Sequence, residues 1–226
     1  MWEGKEGHPW DNIRKAKIPR KAALQRYQDI PFALNCLEEG RDLDQALQNE
    51  MDLTTIGMSG HSFGAGTTQI MAGQTLGRGK RLYQYKEPRF TAGIVYSPIP
   101  SFNRQDSAEE IYGNIDIPLF HMTGTDDDSP VDNTGYEKRL EIYDHAHKAE
   151  QHLFILEDGD HMIYSGSRGQ LAETDNRERY EQHIMLASLA FWDSYLLQNR
   201  RAYEWLTGEG FINHIGADGQ YRHKTN

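Results

Sequence analysis

Four short apolar stretches punctuate the middle of the chain, separated by segments of mixed polarity. Residues 53–59 (Leu53-Thr54-Thr55-Ile56-Gly57-Met58-Ser59) are apolar and β-branched enough to form a buried strand. Residues 90–97 form a second such run, stopped by Pro98 and Pro100, residues 117–123 a third and residues 152–156 a fourth. The intervening segments carry helical signals. Asp29 reads as an N-cap, with Pro31 in the first turn, Gly40 just past the end, and Ala33, Leu34 and Leu37 between them. Residues 43–50, 65–72 and 136–147 are further helix candidates. Late in the chain Ile184, Ser188, Phe191 and Tyr195 fall on one helical face. Apolar strands alternating with helices predict an α/β fold, a mostly parallel sheet with helices on both faces. Residues 1–28 are polar and broken by Pro9 and Pro19, and are expected to be an extension or loop ahead of a domain spanning 29–226.

The first strand and the helix after it are joined by Gly60-His61-Ser62-Phe63-Gly64, a G-x-S-x-G pattern. A serine on a sharp strand-to-helix turn is held in a strained backbone conformation with its hydroxyl clear of the sheet. The two glycines are expected because strand and helix crowd those positions. The competing reading is a glycine-rich turn with an idle serine.

A serine hydroxyl becomes a nucleophile only beside a base, and the base needs an acid to fix its tautomer. In a parallel sheet these partners belong on loops at the carboxyl ends of later strands. After the third strand comes Gly124-Thr125-Asp126-Asp127-Asp128-Ser129-Pro130. Three carboxylates compete here, Asp127 favoured and Asp126 next, against the alternatives of an Asx-type turn or a cation-binding loop. After the fourth strand, Glu157-Asp158-Gly159-Asp160-His161-Met162 presents His161 as the base. His61 lies inside the turn and is expected to point away from the hydroxyl. His121 reads as a core or supporting residue. His145 and His147 do not share a helix face, and no spacing resembles a zinc site, so neither metal nor cofactor is expected. The backbone N–H of Phe63 is the expected oxyanion donor. The loop for a second donor is not legible, because no strand is convincing before residue 53.

Composition narrows the partners. The chain has 226 residues, 37% hydrophobic and 26% charged, with a net charge of −10. That balance argues against nucleic acid, and the run Arg14, Lys15, Lys17, Arg20 and Lys21 reads as a solvated face. No stretch approaches the roughly 18 apolar residues of a membrane span. The first residues lack the apolar core of a signal peptide. Cys36 is the single cysteine, so no intramolecular disulfide can form.

These residues resemble the α/β-hydrolase superfamily, in its branch of predicted dienelactone hydrolases and platelet-activating-factor acetylhydrolase-like esterases. Gly60 through Gly64 is similar to that branch's nucleophile elbow, Gly124 through Asp127 to its acid loop and Gly159-Asp160-His161 to its histidine loop. Phe191-Trp192-Asp193 with Tyr195-Leu196 looks like its terminal helix, and Arg26-Tyr27-Gln28-Asp29-Ile30 like the helix start before its elbow strand. The likeness covers roughly residues 26–207, with Ser62 where true dienelactone hydrolases carry cysteine. It implies a serine carboxylic-ester hydrolase that uses Ser62, His161 and Asp127 on a small-molecule or exposed ester. His8-Pro9-Trp10-Asp11-Asn12 looks like the loop after the family's fourth strand. The resemblance therefore implies that the earlier strands and an oxyanion loop are missing, and that the first strand's unpaired edge invites self-association. The alternatives are a peptidase, amidase or acyltransferase on the same triad, or a weakly active hydrolase that acts only in binding.

Overall fold

The computed structural model describes residues 19–101, 106–129, 134–165 and 176–225. Residues 1–18, which hold the segment 8–12 and the basic residues Arg14, Lys15 and Lys17, lie outside them, as does Pro130. The structure is α/β, built on a five-stranded, mostly parallel sheet. Helices α1 (Arg20–Glu38) and α2 (Gln45–Glu50) lead into strand β1 (Ile56–His61) and helix α3 (Phe63–Ala72). A small antiparallel hairpin follows, β2 (Leu76–Arg78) with β3 (Arg81–Tyr83). Then come β4 (Phe90–Tyr96), α4 (Ala108–Tyr112), β5 (Leu119–Asp126), a 3-10 turn (Tyr136–Leu140) running into α5 (Glu141–His145), and β6 (Gln151–Asp160). Helices α6 (Arg177–Tyr195), α7 (Arg200–Thr207) and α8 (Glu209–Ile215) precede the last strand, β7 (Gly219–Lys224). The sheet order is β1-β4-β5-β6-β7; the first four strands are parallel and β7 is antiparallel to β6.

The four apolar runs all become strands, shifted or lengthened at their ends. The first starts at Ile56 and continues through His61, and the last reaches Asp160. Period-two alternation sorts their side chains. Phe154 and Leu156 join Phe120, Met122, Ala92 and Ile94 against α6, α7 and α8, where Phe191, Leu206 and Phe211 are buried. The intervening Leu153 and Ile155 pack on the opposite face with Tyr143 of α5. On that face Leu119 meets Ala72, Ile111 and Ile142, and α1 covers Met71 and Phe90. Each fully buried Leu or Phe contributes roughly 1.5–3 kcal/mol by leaving water, and this sets which face of each strand turns inward.

The front of the domain differs from expectation. Helix α1 begins at Arg20 rather than Asp29, so the expected boundary between 28 and 29 falls inside a helix, and Pro31 lies in its interior. The overriding signal is the apolar stripe Leu24, Tyr27, Ile30, Leu34 and Leu37, which packs on α3 and β4 and spans the proline. The helix ends at Glu38 with Gly40 just past it, as expected, at φ 63°, where Gly40 N–H reaches Leu37 O and Arg41 N–H reaches Cys36 O. The segment expected as one helix over 136–147 is a 3-10 turn followed by a short α-helix ending at His145. Among the described residues β1 pairs only with β4, so it lies at an edge of the sheet, where the absence of earlier strands was expected to leave it. No helix of the described residues is long and apolar enough to cross a membrane.

Candidate active site

At the carboxyl end of β1 the chain turns sharply into α3, and Ser62 sits at the corner with φ 56° and ψ −116°. A non-glycine residue in that region is strained by about 1–3 kcal/mol and persists only when its surroundings hold it. Here the Ser62 N–H is fixed by Tyr96 O at 2.9 Å, and Ser62 O accepts from Gly66 N at 3.1 Å. The two motif glycines play unequal parts. A Cβ on Gly60 would sit 2.3 Å from the carbonyl carbon and oxygen of Gly64, so β1 and α3 touch backbone to backbone there. A Cβ on Gly64 would meet no described atom within 4 Å, so the expected crowding applies to Gly60 alone. Phe63 is the first residue of α3, so its N–H belongs to the amides without an intrahelical acceptor and lies directly beside Ser62.

The carboxyl ends of β5 and β6 bring two more groups to the same place. His161 directly follows β6, and its Nε2 lies 2.9 Å from Ser62 Oγ. Its Nδ1 lies 2.7 Å from Asp127 Oδ1. Asp127 directly follows β5 and is fully buried, while Asp126 and Asp128 are exposed, so one of the three candidate acids turns inward. Thr123 Oγ1 donates to Asp127 Oδ2 at 2.9 Å and so orients the carboxylate from its other side. The hydrogen-bonded order is Ser62, His161, Asp127, with roles dictated by donor chemistry. A carboxylate only accepts, so Nδ1 carries the proton and Nε2 is left to accept from the serine hydroxyl.

Three further residues support this group, and their supporting roles escaped the sequence reading. Arg139, on the 3-10 turn after β5, is only 4% exposed and places Nη2 at 3.1 Å from Asp127 Oδ1. Nη2 also lies 3.3 Å from His161 Nδ1, but both groups donate to Oδ1, so that approach is two donors side by side rather than a hydrogen bond. His61 does not stand apart from the site. Its Nε2 donates to the main-chain carbonyl of His161 at 2.7 Å, and the two rings lie 4.7 Å apart. Burial, with the neighbouring His161 next in size, pushes the His61 pKa down to about 4, so it works as a neutral strut. Asp160 Oδ1 accepts from the N–H groups of Met162 and Ile163, both at 2.8 Å, and so shapes the turn bearing His161. Only neighbours distant in sequence distinguish Arg139 from any charged residue on a surface turn, which is why its role was not legible.

The opposite end of β6 carries a second cluster of metal-ligating types, Glu150, His152 and His223, with one ligand atom each within 4.8 Å of the others. Those atoms already have partners. Tyr221 OH lies 2.6 Å from His152 Nδ1, and Tyr195 OH lies 2.6 Å from His152 Nε2. Glu150 Oε2 accepts from Tyr195 at 2.6 Å and from Tyr203 and His223 at 3.1 Å. With Tyr221 donating to Nδ1, His152 Nε2–H donates a hydrogen bond to the Tyr195 oxygen, and Tyr195 donates in turn to Glu150. Every proton in the chain has an acceptor, which makes the cluster a structural network. His121 is fully buried, its Nε2 2.8 Å from Gln151 Oε1, which makes it a core residue, the first of the two readings expected for it.

The arrangement at Ser62 can thus hold a neutral imidazole against a serine hydroxyl, with a buried carboxylate behind it. Compared with known proteins, the chain matches no protein-family model and no curated protein sequence.

Proposed function

We propose that this protein is a serine carboxylic-ester hydrolase of α/β-hydrolase type. The observation that carries the reading is the chain of contacts Ser62 Oγ to His161 Nε2 at 2.9 Å and His161 Nδ1 to Asp127 Oδ1 at 2.7 Å, hung on a strained serine at a strand-to-helix turn. In the proposed reaction His161 removes the Ser62 proton as Oγ attacks the acyl carbon of an ester. The tetrahedral oxyanion forms beside the Phe63 N–H, at the positive end of α3. His161 then gives its proton to the departing alcohol and leaves an acyl-serine. A water deprotonated by the same imidazole releases the acid. Asp127 holds the productive tautomer and balances the imidazolium charge without itself taking the proton. The positions of the three groups at the carboxyl ends of β1, β5 and β6, and their chain order of serine, acid and histidine, support the same reading.

A fluorophosphonate probe and a short-chain p-nitrophenyl ester provide the test. The unaltered protein is expected to be labelled and to release p-nitrophenol, and Ser62→Ala to do neither. The loss on removing a triad nucleophile is on the order of 10⁶ in turnover. Asp127→Ala should fall by about 10⁴, while Asp126→Ala and Asp128→Ala stay within a few-fold of the parent. A Ser62→Ala protein retaining more than about a tenth of parental turnover would overturn the reading, since removing a triad nucleophile costs orders of magnitude more. So would three equal small effects at the aspartates.

A further inference from the structure

Arg139 is a cation where the proposed chemistry calls for none. It is almost fully buried, and each of its three guanidinium nitrogens has an acceptor. Nε donates to the Asp127 main-chain carbonyl at 2.7 Å. Nη1 donates to Pro98 O at 3.0 Å and to Ser97 O at 3.3 Å. Nη2 reaches the Asp127 carboxylate at 3.1 Å. One side chain therefore ties the end of β4 to the turn after β5, and holds Asp127 by both its backbone and its carboxylate. The electrostatic consequence is specific. A serine triad is ordinarily balanced in the transition state, with imidazolium against carboxylate. Here the carboxylate is already paired before His161 is charged. When His161 takes the serine proton, the three side chains sum to one positive charge instead of none.

The geometry points to Arg139 as a positioning residue, which clamps Asp127 in line with His161 and fixes a positive charge beside the His161 ring. The inference rests on the serine-hydrolase reading above. The other titratable groups facing His161 are His61 from the end of β1, Asp160 from the end of β6 and Tyr164 from the turn Ile163–Ser165. None of them changes between the variants below, so differences isolate Arg139. Because activity needs neutral His161, removing a nearby cation favours the charged ring and moves the acid limb of the pH profile upward.

The acid limb of kcat/KM is compared in the parent, Arg139→Gln and Arg139→Lys. Arg139→Gln should raise the limb by about one pH unit or more, the usual effect of a charge within 4–6 Å. Arg139→Lys keeps the charge but offers one nitrogen for acceptors that now occupy three. Its limb should stay near the parent's while kcat falls by about tenfold to a hundredfold, the scale of a misaligned catalytic group. A folded Arg139→Gln with an unmoved limb overturns the inference, because a merely structural arginine would lower stability and leave the limb in place. If circular dichroism shows Arg139→Gln unfolded, Asp127→Asn is compared with Asp127→Asn/Arg139→Gln, which removes both buried charges together. The protonation pH of the His161 ring, read by NMR, should be higher in the double variant, and equal values overturn the inference. The NMR readout needs no turnover. If the parent resists the fluorophosphonate probe, the hydrolase reading fails while the charge coupling is still measured.

Discussion

At the scale of single residues, the two glycines flanking Ser62 separate pattern from physics. Both belong to the motif, yet one is demanded by contact and the other is not. Gly60 has the Gly64 carbonyl 2.3 Å from where its Cβ would stand, and neither backbone can retreat without moving β1 or α3. Gly60→Ala is therefore expected to cost about 3 kcal/mol or more, at the upper end of overpacking penalties. Gly64→Ala places its methyl in open space within a helix, where alanine is intrinsically better by about 1 kcal/mol. Urea unfolding midpoints check both: the first should fall sharply, the second should hold or rise. Equal midpoints would mean that the turn does not bring the two backbones together. The three adjacent aspartates make the same point. Composition treats them alike, but only Asp127 faces inward, and its second oxygen is taken by Thr123 of the strand just before it.

At the scale of elements, β7 and the tyrosine–histidine network explain how α6 and α7 are fixed to the sheet. Strand β7 is polar (Gly219-Gln220-Tyr221-Arg222-His223-Lys224), so no apolar run marks it, but it completes the β6 ladder from Gln151 to Leu156. Tyr221 and His223 then meet Tyr195 of α6 and Tyr203 of α7 around His152 and Glu150. Tyr195→Phe removes the acceptor of a buried imidazole N–H while leaving the packing shape intact. It should cost about 1–3 kcal/mol, the penalty for an unsatisfied buried donor. Tyr203→Phe removes one of several donors to Glu150, a carboxylate that keeps 31% exposure, so water can replace it and the loss should stay below about 1 kcal/mol. Thermal unfolding of the two variants distinguishes them, and a neutral Tyr195→Phe would show that His152 finds its acceptor elsewhere.

At the scale of the whole molecule, buried neutral histidines make stability depend on pH. Burial lowers the pKa of His61 and of His121 to about 4 and that of His152 well below its ordinary value. In the unfolded chain each would titrate near 6.5, so below that pH the unfolded state binds more protons than the native one. Their contribution is intact above about pH 6.5 and is lost as pH falls toward 4. At pH 5, His61 and His121 should each cost about 2 kcal/mol relative to pH 7.5. Urea unfolding at the two pH values is expected to show the folded state weakened at pH 5, and a more stable protein at pH 5 would contradict neutral burial of these rings. The proposed activity and the stability would then decline on the same acid side for different reasons, one through His161 and the other through the interior.

The linear chain determined what depends on neighbours. Alternating apolar runs named four strands because burying both faces of a parallel strand requires several apolar residues in succession. The glycine-flanked Ser62 between a strand and a helix marked the turn, and chain order located the loops bearing Asp127 and His161. What remained hidden depends on groups far apart in sequence. The stripe from Leu24 to Leu37 outweighs Pro31 only because α3 and β4 lie beneath it. Strand β7 forms because β6 offers an unpaired edge, not because its own residues prefer one. Arg139 becomes part of the site only where the ends of β4, β5 and β6 converge on it. Propensity and pattern act through the few residues on either side. A buried charge, a paired imidazole and a strand edge acquire meaning only from the tertiary contacts that remove them from water.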